Sequence, residues 1–158
     1  MTISSSYALE RNNAPAKPTP EIVVLVGIPG SGKSTLATTR FRNQVRINLD
    51  TLRSRHSERR KILQALSEGH SIVIDNTNTT MRARRRYIDI AWKFSLPIRA
   101  VCLICPLETA LERNAQRRGR EHVPDRAVRM YNRIMQIPVE EEGFDSVEIL
   151  NSGGPYSA

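Results

Sequence analysis

Five short apolar runs separated by longer amphipathic stretches set the pattern of this chain. The first run, Ile22 to Val26, is apolar at every position, which is typical of a central parallel strand covered on both faces. Further strands are predicted at 45–49, 71–74, 97–105 and 147–150. Helices are predicted over 33–42, 50–68, 80–94, 106–119 and 124–136. This alternation predicts an α/β fold, a doubly wound parallel sheet of about five strands flanked by helices.

The 158 residues are enough for one domain. Residues 1–20 contain three prolines within six positions and are predicted to be a disordered N-terminal segment. The folded domain is expected over 21–150, followed by a C-terminal tail over 151–158. Neither a signal peptide nor an apolar run of the ~18 residues that span a membrane is evident, so no membrane partner is expected.

The loop after the first strand carries a phosphate-binding motif. Its eight residues fit G-x-x-x-x-G-K-S/T between a strand and a helix, the context that the motif requires; they are Gly27, Ile28, Pro29, Gly30, Ser31, Gly32, Lys33 and Ser34. Backbone N–H groups and the helix N-terminus would surround a β-phosphate. Lys33 would neutralise the β- and γ-phosphates of ATP, and the Ser34 hydroxyl would ligate Mg²⁺. Thr35, the next residue, is a further candidate for binding the nucleotide.

The alternative, a glycine-rich turn that only connects strand and helix, requires a coincidence. The pattern arises by chance about once in a hundred chains of this length, and the flanking strand and helix make it rarer still. In a parallel sheet the ligand lies at the carboxyl ends of the strands. The loops after the first three strands should therefore converge on one crevice.

Asp50 and Arg53 follow the second strand. On the first turn of a helix, residues three apart face the same side. The Asp50 carboxylate would then accept the proton of an attacking hydroxyl, and Arg53 would hold a phosphate of the acceptor. Alternatively, Asp50 is a helix N-cap and Arg53 is solvated. The spacing leaves both interpretations open.

Asp75 ends the third strand, where P-loop enzymes commonly place a carboxylate that holds Mg²⁺. The next three residues, Asn76, Thr77 and Asn78, are candidates for binding the substrate. Asn and Thr are also common turn formers and helix caps, so a purely structural role is the alternative.

Arginines cluster late in the predicted helix over 106–119. Arg113 and Arg117 are candidates for binding the nucleotide, with one arginine of a lid reaching the transferred phosphoryl group. Cations near a helix C-terminus are also favoured by the helix dipole alone.

The whole chain is basic, with a formal net charge of +8 and a pI of about 10.2. This balance favours polyanionic partners, although each basic run on its own is compatible with a solvated helix face.

The two cysteines, Cys102 and Cys105, lie within the predicted fourth strand. Their C-x-x-C spacing falls in a strand rather than at a turn, and no second pair completes a metal site. We expect buried, reduced thiols and therefore a reducing cytoplasm.

Four segments together resemble the kinase domain of polynucleotide 5′-hydroxyl kinases. They are GIPGSGKSTL, NLDTLRS, VIDNTNTTMRARRRYI and EEGFDSVEIL, and the likeness extends over about residues 21–150. It is nearest to the kinase half of the bifunctional eukaryotic kinase/phosphatases, with kinship to the bacteriophage type. The resemblance implies an adenylate-kinase-like P-loop fold and ATP-dependent phosphorylation of the 5′-OH end of DNA or RNA. A repair enzyme or a ligase would be the expected partner.

By the same resemblance, Asp50 matches the general base and Lys33 with Ser34 the P-loop pair. Arg117 matches the lid arginine. Val123, with Pro124, resembles the hydrophobic pair next to the acceptor end. Arg53 matches the acceptor-phosphate arginine of the phage-type enzymes.

Two departures from the family pattern stand out. Leu49 occupies the position before the base, where the family usually has Arg, which removes one expected acceptor contact. No D-x-D-x-T phosphatase signature occurs, so no 3′-phosphatase activity is expected of this chain. Two alternatives remain: a P-loop kinase for a small metabolite or nucleotide sugar, like zeta-type toxins or carbohydrate kinases, and a nucleotide-gated module that binds nucleic acid without phosphate transfer.

Overall fold

The computed structural model of the chain describes residues 17–152. Most of the predicted disordered segment and nearly all of the predicted tail lie outside these residues. The last strand includes Asn151, one residue beyond the predicted end of the domain. The division of the chain at residues 20 and 150 stays a prediction.

The described residues form one five-stranded sheet in which every pair of neighbouring strands is parallel. The strands are β1 (Ile22–Val26), β2 (Val45–Ile47), β3 (Ile72–Ile74), β4 (Ile98–Ile104) and β5 (Ser146–Asn151). Their order across the sheet is β2-β3-β1-β4-β5. The predicted parallel α/β architecture is therefore confirmed.

Six α-helices connect and cover the strands within the described residues. They are α1 (Lys33–Thr39), α2 (Leu49–Leu52), α3 (Arg55–Ser67), α4 (Met81–Lys93), α5 (Leu107–Ala115) and α6 (Asp125–Ile134). Two short 3-10 turns are added at Gly119–Glu121 and Glu140–Glu142.

The central strand β1 is buried on both faces, as its unbroken apolar run predicts. Val24 belongs to a core that includes Tyr87 of α4. Val23, on the other face, belongs to a core that includes Ala37 and Phe41 at α1. Each such buried aliphatic side chain contributes roughly 1.5–3 kcal/mol relative to its exposure to water. This burial fixes the end of β1, from which the phosphate-binding loop leaves.

The single helix predicted over 50–68 is wrong, because the chain forms two helices there. Asn48 caps α2, and its Oδ1 accepts from the Thr51 N–H at 3.2 Å. Ser54 caps α3, and its Oγ accepts from the Ser57 N–H at 3.1 Å. Between them Arg53 has a φ of 65°, outside the helical region. Asp50 and Arg53 therefore do not share one continuing helical face, contrary to the expectation from their spacing.

The helix α6 runs along the carboxyl edge of the sheet. Before its first turn, Val123 is bonded to Asn114 of α5, which follows β4. Just after its last turn, the Gln136 N–H donates to the Thr79 carbonyl at 2.7 Å, in the loop after β3. In between, Val128 packs in a core cluster with Ile28 of the loop after β1. The helix thus borders the crevice in which the strand-end loops meet.

The arginine run at 82–86 is not uniformly solvated. Arg82, Arg85 and Arg86 are exposed, but the Arg84 side chain is completely buried. The Arg84 guanidinium forms an ion pair with Glu142 at 2.6 Å. It also donates to the carbonyls of Asn78 and Gln136. The interpretation of the run as a solvated face is wrong at this position, because Glu142 comes from a turn 58 residues later in the chain.

Both cysteines are buried and free, as expected. Burial raises the pKa of the Cys102 thiol to about 11. Within residues 17–152, none of the helices has the length and apolar character needed to cross a membrane.

Candidate active site

The phosphate-binding loop joins β1 to α1 and has the backbone geometry that its glycines allow. Gly30 and Gly32 have φ values of 84° and 99°, in the left-handed region that side chains disfavour. A Cβ at Gly30 would lie 2.4 Å from the Ala110 carbonyl oxygen. Helix α5 therefore packs directly against the loop, and Gly30 is required by that approach as well as by its φ.

The Lys33 ammonium lies inside this loop. It donates to the carbonyl oxygens of Gly27 at 2.8 Å and Ile28 at 2.9 Å. Burial lowers the pKa of Lys33 to about 8, while the carboxylates of Asp75 and Asp50 act to raise this pKa and Arg117 acts to lower it. Three charged side chains, each from a connection that follows a different strand, thus lie within electrostatic range of one ammonium group.

The remaining residues of the loop divide into scaffold and accessible groups. Ile28, Pro29 and Ser31 are buried and shape the loop from behind. Ser34 is half-buried and Thr35 is exposed, both in the first turn of α1. Only the latter two offer hydroxyls at the accessible side of the helix N-terminus, where an anion is favoured.

Asp75 follows β3 and its carboxylate is buried. It accepts a hydrogen bond from Arg46 Nε at 2.7 Å. The Asp75 N–H donates to the Ile47 carbonyl at 2.8 Å, which aligns the ends of β2 and β3. The carboxylate is therefore positioned at the carboxyl edge of the sheet, next to the phosphate-binding loop.

Asp50 lies in the first turn of α2 with an exposed side chain. Asn48, not Asp50, is the N-cap, so the alternative that Asp50 caps the helix is wrong. Among residues 17–152, no hydrogen bond or ion pair engages the Asp50 carboxylate. Arg53 is also exposed, at the left-handed residue that ends α2. Both side chains are accessible to a ligand at this end of the sheet.

The three polar residues after Asp75 connect the loops of the site to one another. Asn76 Oδ1 accepts from the Leu49 N–H at 2.9 Å and so holds the start of α2. The Thr77 carbonyl accepts from the Gly27 N–H at 3.0 Å. Asn78 Nδ2 donates to the Leu25 carbonyl at 2.9 Å. The amides of Asn76 and Asn78 are thus used within the protein, which is the structural role that the sequence left open.

Glu58 anchors this arrangement and was not among the sequence candidates. It is buried in α3 and accepts from Asn76 Nδ2 at 3.0 Å, Arg55 Nη1 at 3.0 Å and the Tyr87 hydroxyl at 3.2 Å. Burial, followed by the neighbouring Glu58 charge, raises the pKa of Tyr87 to about 12. In the sequence, Glu58 belongs to a polar helical stretch and gives no signal of its burial.

The two candidate nucleotide-binding arginines come from α5 and the connection that follows it. Arg113 Nη2 donates to the Ser152 carbonyl at 2.8 Å, and its Nη1 approaches the Gly30 carbonyl at 3.4 Å. Arg117 lies beyond the end of α5, not within the predicted helix over 106–119. It is half-buried, whereas Arg118 and Arg120 are exposed.

Asn114 holds this connection in place and was also missed from the sequence. Its side chain is completely buried. Asn114 Nδ2 donates to the Val123 carbonyl at 2.6 Å, and the Val123 N–H donates back to Asn114 Oδ1 at 3.0 Å. Val123 itself is half-buried and packs against the core that contains Ile28. The segment that bears Arg117 is therefore tied down at both ends.

The fold and this loop define a P-loop nucleotide-binding domain. More particularly, the chain matches the family described as AAA domain over residues 22–138 and belongs to it.

A curated relative is the "Bifunctional polynucleotide phosphatase/kinase" of Schizosaccharomyces pombe, which is 41% identical over 133 residues. These cover 81% of this chain but 33% of the relative, so the chain spans about a third of that protein's length. The resemblance to polynucleotide kinases is thereby confirmed.

Two solved structures support the fold. A gluconokinase from Sinorhizobium meliloti 1021 has a TM-score of 0.62 at 18% identity, covering 86% of this chain and 85% of that one. Chaetomium thermophilum Kti12 in complex with ADP-AlF3 also has a TM-score of 0.62 at 18% identity, covering 82% of this chain and 88% of the other. At this identity the likeness concerns the fold alone.

Proposed function

We propose that the chain is an ATP-dependent polynucleotide kinase that transfers the γ-phosphate of ATP to the 5′-hydroxyl end of DNA or RNA. The observation that carries the proposal is geometric: the Lys33 ammonium lies inside the phosphate-binding loop, and the loops after β2 and β3 bring the exposed Asp50 and the buried Asp75 to the same edge of the sheet. A carboxylate, a phosphate-binding ammonium and an arginine are the three groups that phosphoryl transfer to an alcohol requires. The identity with the fission yeast relative supports a polynucleotide as the acceptor.

Each group has a defined part in the proposed reaction. Lys33 is mostly protonated at pH 7, because its pKa is about 8, and neutralises the β- and γ-phosphates. Asp50 accepts the proton of the 5′-hydroxyl as that oxygen bonds to the γ-phosphorus. The bond between the γ-phosphorus and the β,γ-bridging oxygen breaks, and ADP leaves. Arg117 stabilises the charge on the equatorial oxygens of the transferred group.

Ser34 and Asp75 are the residues that would hold Mg²⁺. Both offer oxygen, the donor that this ion prefers, and Asp75 is fixed in place by Arg46. No cluster of three or more His, Cys, Asp or Glu side chains suited to a metal occurs within the described part of the chain. That fits an ion which arrives with the nucleotide, bound by phosphate oxygens, water and one or two protein groups. When bound, the ion neutralises charge on the phosphates.

The acceptor end is proposed to lie between α2 and the start of α6. Arg53 would contact an acceptor phosphate, and Val123 would contact the terminal nucleotide from the opposite side. Leu49 replaces the arginine that the family usually has beside the base, so this contact is absent. Asn76, Thr77 and Asn78 are proposed to affect binding of the acceptor indirectly, because they hold α2 and the phosphate-binding loop in position.

The proposed product, a 5′-phosphate end, is the group that a ligase needs, so a repair enzyme or ligase is the proposed partner. Free, buried cysteines support a reducing cytoplasmic setting. A 3′-phosphatase activity is not part of the proposal, since the chain has no D-x-D-x-T signature.

Phosphate transfer from γ-labelled ATP tests the proposal directly. The acceptors are matched 5′-OH DNA and RNA oligonucleotides, the same strands with 5′-phosphates, and a panel of sugars and small alcohols. We expect label on the 5′-OH strands and none on the 5′-phosphorylated controls. Label on a sugar in preference to every strand would establish the small-metabolite alternative. Strand binding without transfer to any acceptor would establish the non-enzymatic one.

A further inference from the structure

Helix α6 has a row of arginines on its outer face that the proposed reaction does not use. Arg126, Arg129 and Arg133 are all exposed. At 100° per residue, their directions around the helix axis fall within about 60° of one another. The opposite face carries the buried Val128, whose side chain packs in the core with Ile28. We refer to the three arginines as the α6 arginine row.

Within the described residues, no acidic side chain forms an ion pair with the α6 arginine row, whereas the exposed Arg85 is paired with Asp89. The nearest acidic residue in sequence, Asp125, has its Oδ1 3.4 Å from Asn114 Nδ2. Three like charges along one helix face repel one another, and an anionic partner removes that cost.

The position of α6 indicates where such a partner would lie. The helix runs along the carboxyl edge of the sheet, from the segment that bears Arg117 to the loop after β3. Its inner face packs against the phosphate-binding loop through Ile28. The arginine row is therefore on the outer surface of the element that borders the crevice.

We propose that the α6 arginine row binds the sugar-phosphate backbone of the acceptor strand beyond its 5′-terminal nucleotide. This rests on the proposed kinase function and specifies its substrate as a strand of several nucleotides rather than a mononucleotide. From Arg126 to Arg133 the helix rises about 10 Å. Phosphates recur every 3.4 Å along one strand of a duplex and more widely in an extended single strand, so the row matches about two or three of them. Contacts to phosphates do not read bases, so this binding is independent of sequence.

The test compares the full chain with the triple variant Arg126→Gln, Arg129→Gln, Arg133→Gln. The first readout is the binding of a fluorescent 12-nucleotide 5′-OH strand, by anisotropy at 50–200 mM salt. Each phosphate contact on a single strand contributes about 0.7 to the slope of log K against log salt. Loss of three contacts should reduce the slope by about 2. The ratio of the two proteins' binding constants should therefore change roughly 16-fold between 50 and 200 mM salt.

A matched control removes the same charge from the other edge of the sheet. Lys17, Arg42 and Lys93 are exposed and precede the amino ends of β1, β2 and β4. The variant Lys17→Gln, Arg42→Gln, Lys93→Gln should therefore keep most of the salt slope. Equal losses in both triple variants, or an unchanged slope in the α6 variant, would overturn the proposal. If the α6 triple variant does not fold, the single variant Arg129→Gln should reduce the slope by about 0.7 and an unchanged slope would overturn it.

The second readout is transfer of labelled phosphate to acceptors of increasing length. In the unmodified chain, kcat/KM should rise from a 3′-nucleoside monophosphate to a strand of several nucleotides. The α6 variant should lose that gain, about tenfold or more, with the KM for ATP unchanged. Failure to phosphorylate any 5′-OH acceptor would count against the kinase function, whereas the binding experiment judges the arginine row independently. If kcat/KM still rises with acceptor length in the α6 variant, the proposed role of the α6 arginine row is overturned and the kinase proposal is not.

Discussion

At the scale of single residues, Lys33 combines burial with a task that needs its charge. Its pKa is lowered to about 8 by desolvation, from 10.5 for an exposed lysine. Only the protonated form neutralises the phosphates of a nucleotide. Because its pKa is lowered, the Lys33 ammonium loses its charge in a range of pH that is easily tested.

We predict that kcat/KM for ATP decreases above about pH 8, approaching tenfold per pH unit, because this ratio reports the ionisation of the free protein. The value of kcat should persist to higher pH, since bound phosphates favour the protonated lysine. Steady-state rates between pH 6.5 and 9.5 with a 5′-OH strand would measure both. A kcat/KM that is flat to pH 9.5 would contradict the prediction.

Substitution of Asp50 by Asn is predicted to lower kcat by at least about 100-fold, the usual contribution of a general base. Nucleotide affinity should change little, because the Asp50 side chain is exposed and is not hydrogen-bonded to any other residue of 17–152. Rates and binding of a fluorescent ADP analogue would be compared with those of Thr51→Ala, an exposed neighbour. Equal losses of transfer and nucleotide binding in Asp50→Asn would indicate a structural role instead.

How far the sequence predicts single residues depends on where their partners lie. The phosphate-binding loop is local, so its eight residues and their glycine conformations were predictable from one short segment. Glu58 and Arg84 were not, because each is buried by contacts with distant segments, and Asn114 was not, because its partner Val123 is brought back to it only by the turn between α5 and α6. In the sequence, Arg84 is one of several arginines in a row, and only the fold brings Glu142 to it.

At the scale of elements, the ends of helices were predicted less well than their existence. The helix predicted over 50–68 contains one N-cap in its interior, Ser54, and the first of the two helices that form begins after another N-cap, Asn48, two residues before the predicted start. A capping side chain can bond to the backbone and end a helix, or the helix can continue past it. The apolar stripe that predicted the helix over 50–68 does not indicate which of these two outcomes occurs. The consequence for the site is direct, because Asp50 lies on a separate four-residue element that Asn76 holds at Leu49.

The connection between α5 and α6 provides an element-scale prediction. Asn114→Ala removes both hydrogen bonds to Val123 and should lower the free energy of unfolding by about 1–3 kcal/mol. Because Arg117 lies on the released segment, kcat should also fall, and tryptic cleavage after residues 117, 118 and 120 should accelerate. Thermal melts, rates and timed digests would be compared with Asn132→Ala, an exposed position on α6. Unchanged cleavage with reduced stability would contradict the role of Asn114 in holding the segment.

At the scale of the whole molecule, the buried pair of Arg84 and Glu142 joins parts of the fold that are far apart in sequence. The Arg84 guanidinium contacts the loop after β3, the end of α6 and the 3-10 turn before β5. Burial of an ion pair costs desolvation energy that its hydrogen bonds offset, so removal of one partner leaves the other charge unpaired.

We predict that Arg84→Met lowers the free energy of unfolding by about 3–5 kcal/mol. The double variant Arg84→Met, Glu142→Leu should recover part of this loss, because it leaves no unpaired charge. Urea unfolding would measure both, with the exposed Arg85→Met expected to stay within about 0.5 kcal/mol. A double variant that is no more stable than the single one would show that charge burial is not the cause of the loss.

The sheet order has a consequence for how the chain is made. Of the five described strands, β1 is synthesised first, and it is central in the finished sheet, where Ile22 pairs with Ile72 and Ile98. Its neighbours are thus synthesised some 50 and 76 residues later, and no local hairpin covers it in the interval. Such long-range pairing slows folding, since distant segments must meet before their contact stabilises them. We expect a nascent chain truncated before β4 to lack a protease-resistant core, so that the phosphate-binding loop acquires its shape only after β4 has been translated.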